Sequence, residues 1–299
     1  MRSSWYRTNL TLFGGAAVGL FLAMASRLAS GEDGTATNEN YLNPRIAGDC
    51  FADEKVAALA VAAARGDSER IDDLVAHGAD PNARAGNGMT PLMWAIQARN
   101  KAGFRRLLLR GADPDYLAPG DTSQGFPELR SVSPIVLAAG DMNDSEWLEI
   151  LLKHGANPNL VLPKYGGENT TDYSAGMTPI FDAIDSRRMK NLDLLIKAGT
   201  DVNHQDNFGN TPMLHAAWGR FDVVLRLLEA GADYRIRNND GEDLAYTAAL
   251  FDVPGGDASV SGRDCKKVIA FLQGKGVDMG PARKKAEGCN LWCSLTCAV

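Results

Sequence analysis

Cys289, Cys293 and Cys297 are the densest set of reactive side chains in the sequence, spaced Cys-x3-Cys-x3-Cys close to its end. Thiols at such intervals can hold a metal or close disulfides. No histidine or fourth cysteine stands beside them, and the spacing is not that of a zinc knuckle. Disulfide chemistry is therefore the expected use, with Cys265 pairing to one of the three and the other two pairing together. The four histidines offer less. His77 and His154 each stand one residue before a glycine that ends a predicted helix, where an imidazolium favours the helix dipole. His204 falls in a polar turn segment, and His215 follows a Thr-Pro pair. Gly-x-Ser-x-Gly, His-Glu-x-x-His and a phosphate-binding glycine loop are all missing from the sequence. No catalytic residue, metal or cofactor is expected. A redox factor built on the tail thiols is the chemical alternative.

The elements that would position these residues follow one template, Asn207–Asp233. Thr211 suits a helix N-cap and Pro212 the first helical position, where a missing N–H costs nothing. The spacing predicts a short helix from Pro212 to Trp218, a turn at Gly219-Arg220, and a second helix with Val223, Val224, Leu227 and Leu228 on one face. Gly231 ends it in the left-handed C′ conformation. The template recurs at Thr90-Pro91, Ser133-Pro134 and Thr178-Pro179, with Ser133 in the cap role. A further copy spans Leu59–Asn82 without Thr-Pro, and a degraded one starts at Asp240-Gly241. The closing glycines are 78, 111, 155, 199, 231 and 276, at intervals of 32 or 33 residues twice and 44 or 45 three times.

Over roughly residues 53 to 280 the chain resembles the ankyrin-repeat family, whose repeat of about 33 residues carries a T-P-L-H-x-A signature. The resemblance implies an all-α solenoid of about six helix-pair repeats with extended fingers between them. Each repeat would touch only its neighbours, so 299 residues need not mean two domains. Cys50 and Cys265 would then lie roughly 40–50 Å apart, with helices stacked about 10 Å from one another. A disulfide needs Cα atoms within about 7 Å, so Cys50 is expected to be unpaired.

Four segments are expected. Residues 1–30 carry Arg2 and Arg7, an uncharged run from Thr8 to Ser26 and small residues around Ala23-Met24-Ala25, the anatomy of a secretory signal peptide. An uncleaved inner-membrane anchor is the competing reading, and would be the chain's one attachment to a membrane. Either exports the remainder, to the periplasm if the segment is bacterial, as its brevity suggests. Residues 31–50 read as a flexible lead-in, 51–280 as the repeat domain, and 281–299 as a cysteine-containing tail.

Two insertions, Asp115–Arg130 and Leu160–Ser174, lengthen adjacent fingers by about eleven residues each. Loops this long without structure of their own are uncommon and tend to be functional or disordered. They carry Tyr116, Phe126, Tyr165 and Tyr173, and the resemblance puts Trp94 and Trp218 on first helices that line a concave face. With Asp182 and Phe208 these six make the expected partner-binding set. A third insertion, Phe251–Arg263, separates the helices of the last repeat.

Net charge is −6, and removing residues 1–30 would take away three arginines and no acid, leaving about −9. That excludes nucleic acid as a favoured partner, since binding it needs a basic footprint. The expectation is a non-enzymatic scaffold, monomeric when unbound, that holds another protein. What the resemblance implies further is an immunity protein neutralising a secreted effector, of the lipase-like type VI kind. A periplasmic chaperone or stress-protection protein is the alternative.

Overall fold

The computed structural model describes residues 41–86, 88–117, 133–140, 144–164, 174–252 and 260–287. Among them every regular element is a helix. A leading helix α1 (Pro44–Cys50) precedes six helix pairs: α2 (Glu54–Arg65) with α3 (Ser68–Ala76), α4 (Pro91–Gln97) with α5 (Lys101–Leu109), α6 (Pro134–Gly140) with α7 (Glu146–Lys153), α8 (Pro179–Asp185) with α9 (Met189–Lys197), α10 (Pro212–Ala216) with α11 (Phe221–Glu229), and α12 (Leu244–Phe251) with α13 (Val260–Gly274). Residues 280–287 form a last helix, α14. The first helices stack on one another as a column from α2 to α12. The second helices form the adjoining layer, and the fingers run between one pair's end and the next pair's start.

Local chemistry explains why the same unit forms six times. Thr90 and Thr211 accept from the N–H of Met93 and Leu214, at 3.3 and 3.2 Å. Asp53 and Asp243 do the same work in the two end repeats that lack Thr-Pro, at 2.7 Å from Lys55 N and 3.0 Å from Tyr246 N. Ser133 and Thr178 differ from expectation: their hydroxyl oxygens are buried and make no hydrogen bond among the described residues. The six closing glycines all lie at φ between 80° and 93°, as a C′ glycine should.

The apolar stripes meet in one continuous core. Leu107, Leu151, Leu195 and Leu227 are fully buried and Leu108 nearly so. Leu152 and Leu228 are only partly buried, because they sit where the second layer meets solvent. The second helices are also tied across repeat boundaries by charge. Arg106 and Arg110 bind Asp72, Lys101 binds Asp144 and Glu146, Arg105 binds Glu146, Lys190 binds Glu149 at 2.9 Å, and Arg226 binds Asp193 at 2.7 Å. The Arg110 and Arg106 guanidiniums hold the Asp72 carboxyl well below the usual carboxylate range. Charges on this face are thus largely matched within the molecule.

Both ends depart from the expected boundaries. Residues 44–50, expected as part of a flexible lead-in, form α1 on the first repeat, with Tyr41, Ala47 and Phe51 buried. Cys50 O accepts from Gly86 N at 3.4 Å. Ala175 O and Phe208 O accept from Asn207 N and Asn239 N at the same place in later repeats, so residues 50–53 are the finger end of a partial repeat. At the other end, residues 281–287 belong to α14 and not to a tail. Ala286 is buried, Lys285 Nζ lies 4.2 Å from the Tyr246 ring centroid, and Arg283 pairs with Asp252 at 2.8 Å. Helix α13 begins at Val260, so the end of the expected third insertion is helical. The leader and residues 31–40 lie outside the described residues, and no described helix is long and apolar enough to cross a membrane.

Candidate partner-binding surface

The fingers share a base built from two backbone devices. The first closes each finger on itself: Ala85 N to Met89 O at 2.9 Å, Asp206 N to Asn210 O at 3.0 Å and Asn238 N to Glu242 O at 3.0 Å. Leu162 N to Met177 O at 2.8 Å is the same bond in the lengthened finger, closed again by Gly176 N to Leu162 O at 2.8 Å. The insertion therefore leaves and re-enters through a base of ordinary geometry.

The second device is a side-chain ladder between repeats. Asn82 Oδ1 accepts from Asp113 N at 2.7 Å while its Nδ2 donates to Gly111 O at 2.9 Å. Asn159 repeats both bonds toward Asp201 N and Gly199 O, at 2.7 and 3.2 Å. Asn203 accepts from Asp233 N at 2.8 Å. Asp115 takes the rung between them, accepting from Asn157 N at 2.8 Å. A carboxylate has no N–H to give the carbonyl above it, and partial burial pushes its pKa up. The ladder puts the starts of both long fingers, Tyr116-Leu117 and Leu160-Val161, on one edge of the stack. Val161 is 45% exposed there.

The expected binding residues divide. Trp94 is corrected: it is 1% exposed, its Nε1 donates to Tyr41 O at 2.9 Å, and the rings of Tyr41 and Phe51 meet it edge-on at 4.9 and 5.7 Å. The chain's own leading segment occupies the face on which a partner was expected. Tyr116 is corrected likewise, 7% exposed with the Arg84 guanidinium 4.8 Å over its ring, so it packs the base of its finger. Asp182 is nearly buried at the corresponding place on α8. Phe208 and Trp218 are half-buried, Trp218 meeting Phe251 edge-on at 6.5 Å. Phe126, Tyr165 and Tyr173 lie outside the described residues.

The histidines and cysteines are held by the fold. His215 Nε2 lies 2.6 Å from Asp185 Oδ1, joining α10 to α8, and His204 Nε2 lies 2.7 Å from Gly176 O. The Phe181 ring meets His215 edge-on, and burial pushes the neighbouring Asp206 carboxyl up. His77 Nδ1 lies 2.7 Å from Asp73 O in the last turn of α3. Cys265, expected in a disulfide, is a free thiol, 2% exposed, with its Sγ 3.5 Å from Ala248 O. Burial pushes its pKa up to about 11, which makes it a poor nucleophile. Cys50 is free, as its place at the far end of the stack predicts. Cys289, Cys293 and Cys297 lie outside the described residues. Among those described, no group of three or more acids, histidines and cysteines could hold a metal ion.

Sequence reasoning missed Asp53 as a cap and Tyr41 as the cover of Trp94. An Asp immediately before an Ala-rich helix was signal enough for the first. Nothing local marks the second, a contact across 53 residues.

Comparison with known proteins bears on the repeat directly. The family model described as "Ankyrin repeats (3 copies)" matches residues 44–118 and 135–238. "Ankyrin repeat and SOCS box protein 6" from Homo sapiens is 30% identical over 150 residues, covering 46% of this chain and 33% of that protein. "Protein PhlB" from Serratia liquefaciens is 29% identical over 160 residues, covering 54% of this chain and 61% of that protein. The chain thus spans less than two thirds of either relative. A crystallographic ankyrin repeat domain from Acinetobacter baumannii AYE superposes with a TM-score of 0.53 at 24% identity, over 72% of this chain and 97% of that one. That likeness speaks for the fold alone.

Proposed function

Since the chain belongs to the ankyrin-repeat family, we propose that it is a non-enzymatic scaffold that holds another protein against its finger edge and acts in the periplasm as an immunity protein. The observation that carries this is the lengthened finger closed at Leu162, Gly176 and Met177, beside a second finger lengthened in the same way. Both insertions add chain to the edge from which fingers project, and the ladder still crosses there, from Asn157 N to Asp115 and from Asp201 N to Asn159. A rigid base with long aromatic-bearing loops can cover a cleft without doing chemistry. Stable interfaces of that kind bury about 1,200–2,000 Å² in total. The leader-like residues 1–30 support export. The occupant proposed is a secreted antibacterial effector of the lipase-like type VI kind, which must be neutralised in the compartment where it acts.

The second reading, a periplasmic chaperone or stress-protection protein, would use the same edge on a resident enzyme. Co-expression separates them. Cells that direct the effector encoded beside this gene into their own periplasm should survive only when this protein is exported with it. Death despite its export would remove the immunity role. Rescue of unrelated heat-damaged periplasmic enzymes instead would favour the chaperone.

A further inference from the structure

We infer that the leading segment, residues 41–51, is a displaceable cover, and that the face it closes around Trp94 takes a partner segment carrying paired aromatic side chains. This rests on the reading of the chain as a protein-binding scaffold, but not on the fingers or on the effector.

The first observation is the kind of residue that is covered. Trp94 stands three residues after the proline that opens α4, and the same register holds Leu137 in α6, Asp182 in α8 and His215 in α10. The stack therefore does not call for an indole at this place. What the indole engages is the leading segment: its N–H donates to Tyr41 O at 2.9 Å, and the Tyr41 and Phe51 rings meet it edge-on. A buried indole N–H needs an acceptor, and any peptide carbonyl supplies one. Tryptophan and tyrosine are also among the residue types that dominate binding where protein segments meet. The segment thus sits on Trp94 in the manner of a bound peptide, with two aromatic residues ten positions apart as its anchors.

The second observation is how lightly the cover is held. Tyr41 carries a hydroxyl into burial, and its Oη makes no hydrogen bond. Burial pushes that hydroxyl's pKa up to about 12. A polar group desolvated without a partner works against the closed arrangement. Helix α1 has seven residues and buries Ala47 alone among them, and helices that short are not stable by themselves. Cys50 O meets Gly86 N at 3.4 Å, against 3.2 and 3.0 Å for the matching bonds at Ala175 and Phe208. Arg65 Nη2 adds a tie to Leu42 O at 3.1 Å, from an exposed side chain. The attachment that remains is apolar, through Tyr41, Ala47 and Phe51, and a partner's aromatic residues can replace it in kind. Elements held this way open locally while the repeats beneath stay folded.

The test uses the full-length protein and, as the probe, a fluorescently labelled peptide of residues 41–51 with Cys50→Ser. A Tyr41→Ala/Phe51→Ala variant uncovers Trp94. It should bind the peptide one to one, at least tenfold more tightly than the wild type, whose own segment competes. Adding Trp94→Leu, the residue that α6 carries at this register, should weaken that complex at least tenfold. The same two alanines placed in the peptide should do likewise. Native hydrogen exchange of the wild type needs no variant: the amides of α1 should exchange at least a hundredfold faster than those of α2. Exchange of α1 in step with α2 would show a fixed end cap and overturn the inference. So would a peptide that fails to bind the uncovered variant, binds the wild type equally well, or ignores Trp94→Leu. A failure of the immunity role in co-expression would leave all of these readouts where they are.

Discussion

Gly103 in α5 lies so close to α2 that a Cβ on it would stand 1.9 Å from the carbonyl oxygen of Ala63. The first two repeats are packed backbone against backbone at this point, with the run of alanines in α2 making room. Gly103→Ala must therefore push two helices apart. Overpacking of this sort typically costs about 1–3 kcal/mol. Urea titration should show a loss in that range, and a change below about 0.5 kcal/mol would mean that the approach is not so close.

The finger ladder gives a prediction of opposite sign. Asp115→Asn should keep the bond from Asn157 N and add a donor toward the Gly155 carbonyl, as Asn82 and Asn159 do in their own repeats. One net hydrogen bond is worth about 0.5–1.5 kcal/mol, so the variant should be the more stable protein at pH 7. The pH dependence follows from the raised carboxyl of Asp115. A group whose folded pKa lies above its unfolded value of about 3.9 contributes stability below that value and loses it as pH rises through the folded pKa. The advantage of Asp115→Asn should thus shrink on acidification below about pH 4. An unchanged or lower melting temperature at pH 7 would contradict the ladder reading.

Much of this was legible beforehand, for a physical reason. A repeat writes its constraints several times over, so Thr-Pro starts and glycine ends located the helices, and glycines 78 to 276 fell where a left-handed residue is needed. The insertions could be measured for the same reason, since a bond that spans Ala85 to Met89 spans Leu162 to Met177 in the longer finger. What the pattern could not reveal was which exposed-looking positions the ends of the chain would cover. Trp94 lies on α4 and Trp218 just past the end of α10, in similar sequence settings, yet only Trp94 lies beneath Tyr41 and Phe51. Helix α1 hid because seven residues are too few to show periodicity.

Position along the stack should decide how a core lesion spreads. Leu151 and Val268 are both fully buried, one in the third repeat and one in the last. Leu→Ala at a buried site costs about 2–5 kcal/mol. Since each repeat is held only by its neighbours, Leu151→Ala should divide the array and give a broadened or two-step denaturant transition, whereas Val268→Ala should loosen the end. Equal losses with equally sharp transitions would count against a neighbour-coupled stack.

Cys265 should behave as a buried thiol. Alkylation of the native protein should leave it unmodified, and alkylation after unfolding without reductant should label it, both read by peptide mass spectrometry. Recovery of Cys265 in a disulfide would contradict the packing of its sulfur against Ala248.

The scaffold function requires that a protein partner be held at the finger edge. Its most direct test is isothermal titration of the purified chain against the effector encoded beside it, before and after both insertions are replaced by short Gly-Asn turns. A one-to-one complex that weakens at least a hundredfold, about 2.8 kcal/mol, when the fingers are shortened is the expected result. No complex with the intact protein, or one of equal affinity without the insertions, would contradict it.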